Sequence, residues 1–212
     1  MLHVNEIFHS IQGESTHAGR PCVFVRLSGC NLRCEWCDTA YAFHEGRPMT
    51  VDEVVAKVAG LGCSLVEVTG GEPLLQADAI PLLEALLAAG YQVLLETGGS
   101  LPIRDVPEGV ARIVDVKCPG SGESDKNFWA NLDEIRPGDE LKFVLKDRDD
   151  YEWAVERVRA RRLHLRCPIL FSPVQDALDA RRLAEWILED GLPVRLQIQL
   201  HKALWPEALR GV

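Results

Sequence analysis

Segments of strand character and segments of helix character alternate along nearly the whole chain, and this alternation restricts its fold more than any other feature. Residues 21–29, PCVFVRLSG, are apolar and β-branched and end on Gly29. A helix is expected to start at Thr50. Glu53 stands three residues later as the partner of a capping box, Val51, Val54, Val55 and Val58 share one face, and Gly60 and Gly62 stop it. The order then repeats: strand SLVEVTG, helix IPLLEALLAAG, strand YQVLLET, then strand ARIVDVK after a short loop. Strand DELKFVL, a helix from Asp149 to about Arg161, strand PILFS, helix ARRLAEWILEDG and a last strand PVRLQIQL follow. Such a series predicts an α/β fold of mainly parallel strands joined by crossover helices. Periodicity does not separate an open doubly wound sheet from a (β/α) barrel. No G-x-G-x-x-G follows the first strand, which counts against dinucleotide binding. The 212 residues also fall short of the roughly 250 of a complete eight-fold barrel. The expectation is one domain, residues 1–212, built as an incomplete, modified (β/α) barrel.

In parallel α/β folds the C-terminal ends of the strands converge on one mouth, where sites are built. The chemically unusual residues fall at those ends. Cys30 to Cys37, Thr69 to Pro73, Glu96 with Thr97, Asp115 to Lys117, Ser172 to Gln175, and His201 with Lys202 each follow a predicted strand. Residues remote in sequence are thus expected to line a single pocket.

Three of the seven cysteines lie within eight residues, as Cys30-x-x-x-Cys34-x-x-Cys37 in SGCNLRCEWCDT. The N-terminal segment MLHVNEIFHSIQGES lacks a basic stretch followed by a long apolar core. No run reaches the ~18–20 apolar residues that span a bilayer, so the chain reads as cytosolic. In a reducing compartment, clustered cysteines point to a metal or redox site rather than to disulfides. Thiolates on one loop suit an iron–sulfur cluster, and three ligands for four irons leave one iron open to a small molecule. A structural zinc site completed by His44 is the competing reading, although the second C-x-x-C pair of many zinc sites is missing. Asn31, Arg33 and Glu35 between the cysteines suggest an exposed loop, and the other four cysteines read as small buried apolar residues. A net charge of −9 argues against nucleic acid or an anionic membrane as the main partner.

At these residues the chain resembles a known superfamily. The C-x-x-x-C-x-x-C spacing with Trp36 before the last cysteine, followed by Thr69-Gly70-Gly71-Glu72-Pro73 after a strand, is similar to the paired motifs of the radical S-adenosylmethionine enzymes. The resemblance implies a barrel of that type. It also implies a [4Fe–4S] cluster on Cys30, Cys34 and Cys37, whose open iron is chelated by the methionine moiety of S-adenosylmethionine. One-electron reduction then yields a deoxyadenosyl radical, so the cofactor rather than a protein side chain is the catalytic agent. Trp36, Cys37, Asp38 and Gly71 are the implied cofactor contacts. Asp115, Val116, Lys117, Ser172, Pro173, Val174 and Gln175 are their counterparts around the nucleoside. Many relatives have asparagine where Gly98 stands here.

Within that superfamily, IFHSIQGESTHAGRPCVFVRLSGCNLRCEWCDT resembles the N-terminal region of the 7-carboxy-7-deazaguanine synthase family. TGGEPLLQ, LLETGGSLP, DVKCPGSG, ELKFVL and the terminal QLHK extend the likeness over essentially the whole chain. The resemblance implies conversion of 6-carboxy-5,6,7,8-tetrahydropterin to 7-carboxy-7-deazaguanine with loss of ammonia, in queuosine and 7-deazapurine biosynthesis. The steps implied are hydrogen abstraction at C6 of the pterin, ring contraction and hydrogen return to regenerate the cofactor. Ile11, Gln12, Gly13, Glu14, Arg26, Thr69 and His201 are the implied substrate contacts. Thr39, by type a turn or capping residue, becomes the implied ligand of a Mg²⁺ that orients the substrate carboxylate. A homodimer and a reducing partner such as flavodoxin or ferredoxin are implied as well. The tail ALWPEALRGV is expected to finish the pocket through Pro206 or its terminal carboxylate. Two other readings compete: a radical enzyme that generates a glycyl radical on a partner protein, and a zinc-stabilised binding module.

Overall fold

Strand residues alternate between the two faces of a sheet, and the apolar series in this chain sort cleanly by that rule. The computed structural model describes residues 1–208 and 210–212. Nine strands form one sheet among these residues: β1 (Leu2–Ile11), β2 (Pro21–Leu27), β3 (Arg47–Met49), β4 (Leu65–Gly70), β5 (Gln92–Thr97), β6 (Val110–Asp115), β7 (Glu140–Leu145), β8 (Ile169–Pro173) and β9 (Arg195–Leu196). Their order is β3-β1-β2-β4-β5-β6-β7-β8-β9. Every pairing from β2 to β9 is parallel, while β1 runs antiparallel to both β2 and β3. The sheet has two edges and does not close, in keeping with the incomplete barrel expected from the chain's length.

Helices α1 (Val51–Ala59), α2 (Ala79–Ala88), α3 (Arg148–Ala160) and α4 (Ala180–Glu189) serve as crossovers, and a short α5 (Leu200–Leu204) follows β9. The capping box at α1 forms as expected. Thr50 Oγ1 accepts from the Glu53 N–H at 3.2 Å, and the Glu53 carboxylate accepts from the Thr50 N–H at 2.7 Å, so two otherwise unpaired donors at the helix start are satisfied. The helices cover the outer face of the sheet. Val23, Val25, Leu27, Val66, Val68, Val93, Leu95, Val114, Leu141, Phe143 and Phe171 on that face pack with Val54, Val58, Leu82, Leu83, Leu86 and Leu183 of the helices.

Three elements differ from the sequence reading. β1 and β3 were not expected as strands: Leu2 and Val4 are buried, but beyond them β1 is half-buried or exposed, so its alternation is weak. The expected last strand shrinks to Arg195–Leu196, because Gln197 and Gln199 turn to hydrogen-bond Glu14. His201 consequently lies on α5 rather than at a strand end.

One buried charge on the outer face is fully engaged. The Arg112 guanidinium, with no exposed surface, pairs with Asp139 and donates to the carbonyls of Ile103 at 3.1 Å and Glu134 at 2.6 Å. Removing one partner of such a pair strands the other in a dry interior. Arg112→Met is expected to lower unfolding free energy by about 3–5 kcal/mol, measured by urea denaturation.

Candidate active site

The inner face of the sheet changes character along each strand. Near the strand starts, Cys22, Phe24, Leu65, Leu94 and Ile113 form a second apolar cluster joined by Phe8. Two residues further along, the same face carries Arg26 after Phe24, Glu67 and then Thr69 after Leu65, Glu96 after Leu94, and Asp115 after Ile113. Register places Arg26 beside Thr69 and Asp115 beside Lys142. A period of two thus directs these polar groups to the C-terminal mouth, where they line a cavity of about 570 Å³.

Gly70 and Gly71 hold the cysteine loop to this mouth. The Gly71 N–H donates to Leu27 O at 3.2 Å and the Glu72 N–H to Gly29 O at 2.8 Å. A Cβ on Gly71 would collide with the Gly29 carbonyl and lie 2.7 Å from Cys30 Cβ. Glu72 is fully buried and does not line the cavity. It accepts from Thr97 Oγ1 at 2.9 Å, from the Gly98 N–H at 2.8 Å and from the Leu74 N–H at 3.0 Å, so it braces two strand ends. On the outer side, Arg33 N–H donates to Glu123 at 2.9 Å, Glu35 N–H to Ser121 O at 3.1 Å, and Lys146 pairs with Glu35 at 2.9 Å.

Cys30, Cys34 and Cys37 are half-buried and all three line the cavity, while Asn31, Arg33 and Glu35 are exposed. Burial raises the thiol pKa of Cys30 and Cys34 above the usual value. His44, the proposed fourth zinc ligand, faces a separate depression with His3, Gln76 and Asp78. Trp36, Asp38 and Gly71 stand beside the cysteines on the cavity wall. Asp115, Lys117, Ser172, Pro173, Val174 and Gln175 occupy the same wall, as expected. Val116 differs from its neighbours: its side chain packs in the main core, and its N–H donates to Lys142 O at 2.8 Å. Lys117 Nζ pairs with Asp115 Oδ2 at 2.8 Å, whereas Asp115 Oδ1 is buried with no partner.

Ile11, Gln12, Gly13, Glu14, Arg26, Thr69 and His201 line the cavity as well. A Cβ on Gly13 would strike the His201 ring, so the Gln-Gly-Glu turn and α5 pack in direct contact. Burial lowers the pKa of His201. Arg26 Nε donates to Glu6 Oε1 at 2.8 Å, which also accepts from Tyr41 OH at 2.9 Å. The guanidinium lies 5.9 Å from the Phe8 ring centre and 6.0 Å from that of Tyr41. Thr39 precedes a short turn of helix but caps nothing; its hydroxyl donates to Asp38 Oδ1 at 2.8 Å.

Several residues of the site were missed by the sequence reading. Lys142 Nζ donates to Glu14 Oε2 at 2.9 Å and also pairs with Glu96. Gln197 and Gln199 donate to Glu14 at 2.9 and 2.8 Å. Glu67 accepts from Gln12 Nε2. Burial opposes a charge on Glu14, but Lys142 and Gln199 hold its pKa below the usual carboxylate value. Burial together with Glu96 and Glu14 pushes Glu67 well above it. Two carboxyls with opposed protonation preferences therefore share one cavity, an arrangement typical of functional sites. Glu67 and Lys142 had a readable signal: each is an ionisable residue at an inward position of an otherwise apolar strand.

A parallel sheet that brings a three-cysteine loop and a Gly-Gly-Glu-Pro strand end to one mouth defines a radical S-adenosylmethionine protein. The model of the Radical SAM superfamily matches residues 24–165. The 7-carboxy-7-deazaguanine synthase of Koribacter versatilis is 48% identical over the full length of both chains. That of Chlorobaculum tepidum is 47% identical, covering 100% of this chain and 97% of the relative. The solved structure of QueE from Escherichia coli superposes with a TM-score of 0.76 over 94% of each chain at 24% identity. Streptococcus suis SuiB bound to S-adenosylmethionine shares the fold at a TM-score of 0.60, over 82% of this chain and 50% of that one. The chain belongs to the 7-carboxy-7-deazaguanine synthase family of the radical SAM superfamily.

Membership implies a [4Fe–4S] cluster and S-adenosylmethionine, and the residues present fit them. Three thiols of one loop reach the cavity, the bare backbone of Gly71 leaves room beside Cys30, and Asp115 Oδ1 awaits a hydrogen-bond donor. Gly71→Val should displace the cysteine loop, and iron and sulfide content after anaerobic reconstitution is expected to drop well below that of the wild type.

Proposed function

We propose that this chain converts 6-carboxy-5,6,7,8-tetrahydropterin to 7-carboxy-7-deazaguanine with loss of ammonia. The observation that carries the reading is a single cavity joining the three-cysteine loop to the Gln12–Glu14 turn and Arg26. When bound, the cluster and S-adenosylmethionine supply the one-electron chemistry that removes a hydrogen atom from the substrate. The protein's own residues bind and orient. Cys30, Cys34 and Cys37 ligate the cluster. Trp36, Asp38, Gly71, Asp115, Lys117 and the segment from Ser172 to Gln175 hold the cofactor, with the Val116 backbone behind them.

The substrate side follows from hydrogen-bond chemistry. Arg26 has its Nε committed to Glu6, which leaves the terminal nitrogens of a stacked, oriented guanidinium for the pterin carboxylate. Gln12, Glu14, Thr69, His201 and the Ile11–Gly13 backbone surround the heterocycle. Burial lowers the His201 pKa and so favours its neutral imidazole. Thr39 supplies a hard oxygen to Mg²⁺, which keeps most of its waters and takes few protein ligands. The tail closes the cavity: Pro206, Ala208 and residues 210–212 line it, and Leu209 lies outside the described residues. A reducing partner such as flavodoxin or ferredoxin and a homodimeric assembly complete the reading. No helix among the described residues is long and apolar enough to cross a membrane.

Anaerobic reconstitution with iron and sulfide, followed by incubation with the tetrahydropterin, S-adenosylmethionine and dithionite, is expected to yield the deazaguanine acid by mass spectrometry. Deoxyadenosine release without that product rejects the substrate while keeping the superfamily chemistry. Cys34→Ala should release no deoxyadenosine. Thr39→Ala should keep its cluster and lose most of the Mg²⁺ stimulation, and an unchanged response to added Mg²⁺ removes its assigned role.

A further inference from the structure

Lys142 occupies an unusual position for a lysine. It sits in the middle of β7, a strand with parallel neighbours on both sides, and its side chain is 7% exposed. The ammonium lies between two carboxylates brought from distant parts of the chain, Glu14 on the β1–β2 turn and Glu96 on β5. Burial works against its charge, but Glu14 and Glu96 outweigh this and raise its pKa well above the usual value.

The two carboxylates are held further by neutral donors. Glu14 accepts from Gln197 at 2.9 Å and Gln199 at 2.8 Å, and Glu96 accepts from Thr69 Oγ1 at 3.3 Å. An ionised carboxylate offers about four acceptor sites. Glu14 uses three and Glu96 uses two, so both keep acceptor capacity on the cavity. Without the ammonium, Glu14 and Glu96 would face each other as like charges in a half-buried space, and one would turn away or take up a proton.

An aminopyrimidinone ring presents a ring N–H and an exocyclic NH₂ side by side, two donors that need fixed acceptors. We propose that Lys142 is a positioning residue for substrate recognition, holding Glu14 and Glu96 at a set separation so that their free oxygens read those donors. The assignment rests on the pterin reading above and adds the group that makes the cavity selective for a 2-amino ring. A site built to pair buried donors rejects analogues lacking them far more strongly than shape alone does.

Wild type, Lys142→Met and Lys142→Arg are reconstituted side by side. KM and kcat are measured for the tetrahydropterin, together with the competitive inhibition constant of its 2-desamino analogue. Cluster content, read as iron, sulfide and charge-transfer absorbance, should match wild type in both variants. For Lys142→Met, KM should rise on the order of 10²-fold with a smaller fall in kcat. Its preference for the 2-amino ring should shrink by at least about ten-fold. Lys142→Arg, which can still donate to both carboxylates, should recover most of that preference. Undiminished preference in Lys142→Met, or a kcat loss at unchanged KM, overturns the proposal. If Lys142→Met does not fold, Lys142→Gln is measured by the same criteria, and failure of both to fold makes Lys142 a purely structural residue and overturns it too. A wild type that produces no deazaguanine refutes the underlying pterin reading, which is a different outcome from a wild type that works beside an undisturbed variant.

Discussion

The close approach of Gly70 and Gly71 to the Leu27–Cys30 backbone is the contact on which the site depends. Two hydrogen bonds, Gly71 N–H to Leu27 O and Glu72 N–H to Gly29 O, tie the end of β4 to the start of the cysteine loop. Neither glycine tolerates a side chain, because a Cβ at either would meet the neighbouring backbone within van der Waals contact. Glu72 then locks this junction to β5 through Thr97 and Gly98. The loop that must present three thiols is therefore fixed from the sheet side by backbone and from the solvent side by Glu123, Ser121 and Lys146. A loop held at both flanks can present ligands in a set geometry at little entropic cost on cofactor binding.

Electrostatics follows from the same sheet. The inner face spends its first half on an apolar cluster and its second half on ionisable groups, so charges collect in one layer rather than being scattered. Buried charges persist only when paired. Lys142 answers Glu14 and Glu96, Lys117 answers Asp115, and Arg26 answers Glu6. Glu67 has no cation in contact and bonds only to the Gln12 amide, which is why burial and its acidic neighbours raise its pKa. The polar layer is thus mixed in charge and in hydrogen-bonding sense, which suits a heterocycle carrying both donors and acceptors.

Much of this was legible residue by residue. The capping box at Thr50 and Glu53, the parallel strands and the convergence of their ends followed from local pattern, while the incomplete barrel followed from chain length and from the family resemblance. Every expected site residue except Val116 lines the cavity: those after parallel strands because such strand ends meet in one sheet, and Ile11–Glu14 because the turn after antiparallel β1 folds over the inner face, where Gln12 and Glu14 bond to Glu67 and Lys142. Val116 lies between Asp115 and Lys117 but points to the core, because successive residues in extended backbone point to opposite faces. Gln197 and Gln199 were read as strand because PVRLQIQL alternates well. Their amides instead bond to Glu14, a partner more than 180 residues away. Glu6 and Tyr41 carried no signal, because nothing local announces that both will converge on Arg26.

By itself, the sequence determined the chemistry on offer: three thiols at cluster spacing, a glycine pair at a strand end, and an α/β sheet whose strand ends would gather them. Those properties are local, set by spacing, by backbone freedom and by a period of two. Only the tertiary structure decided which charges would neutralise one another. Pairing depends on register between strands distant in sequence, and it is register that places Lys142 among Glu14 and Glu96 and leaves Glu67 to the Gln12 amide. The reactive loop could be read from the chain, whereas the polar floor beneath it exists only after folding, because its members share no neighbourhood until the sheet brings them together.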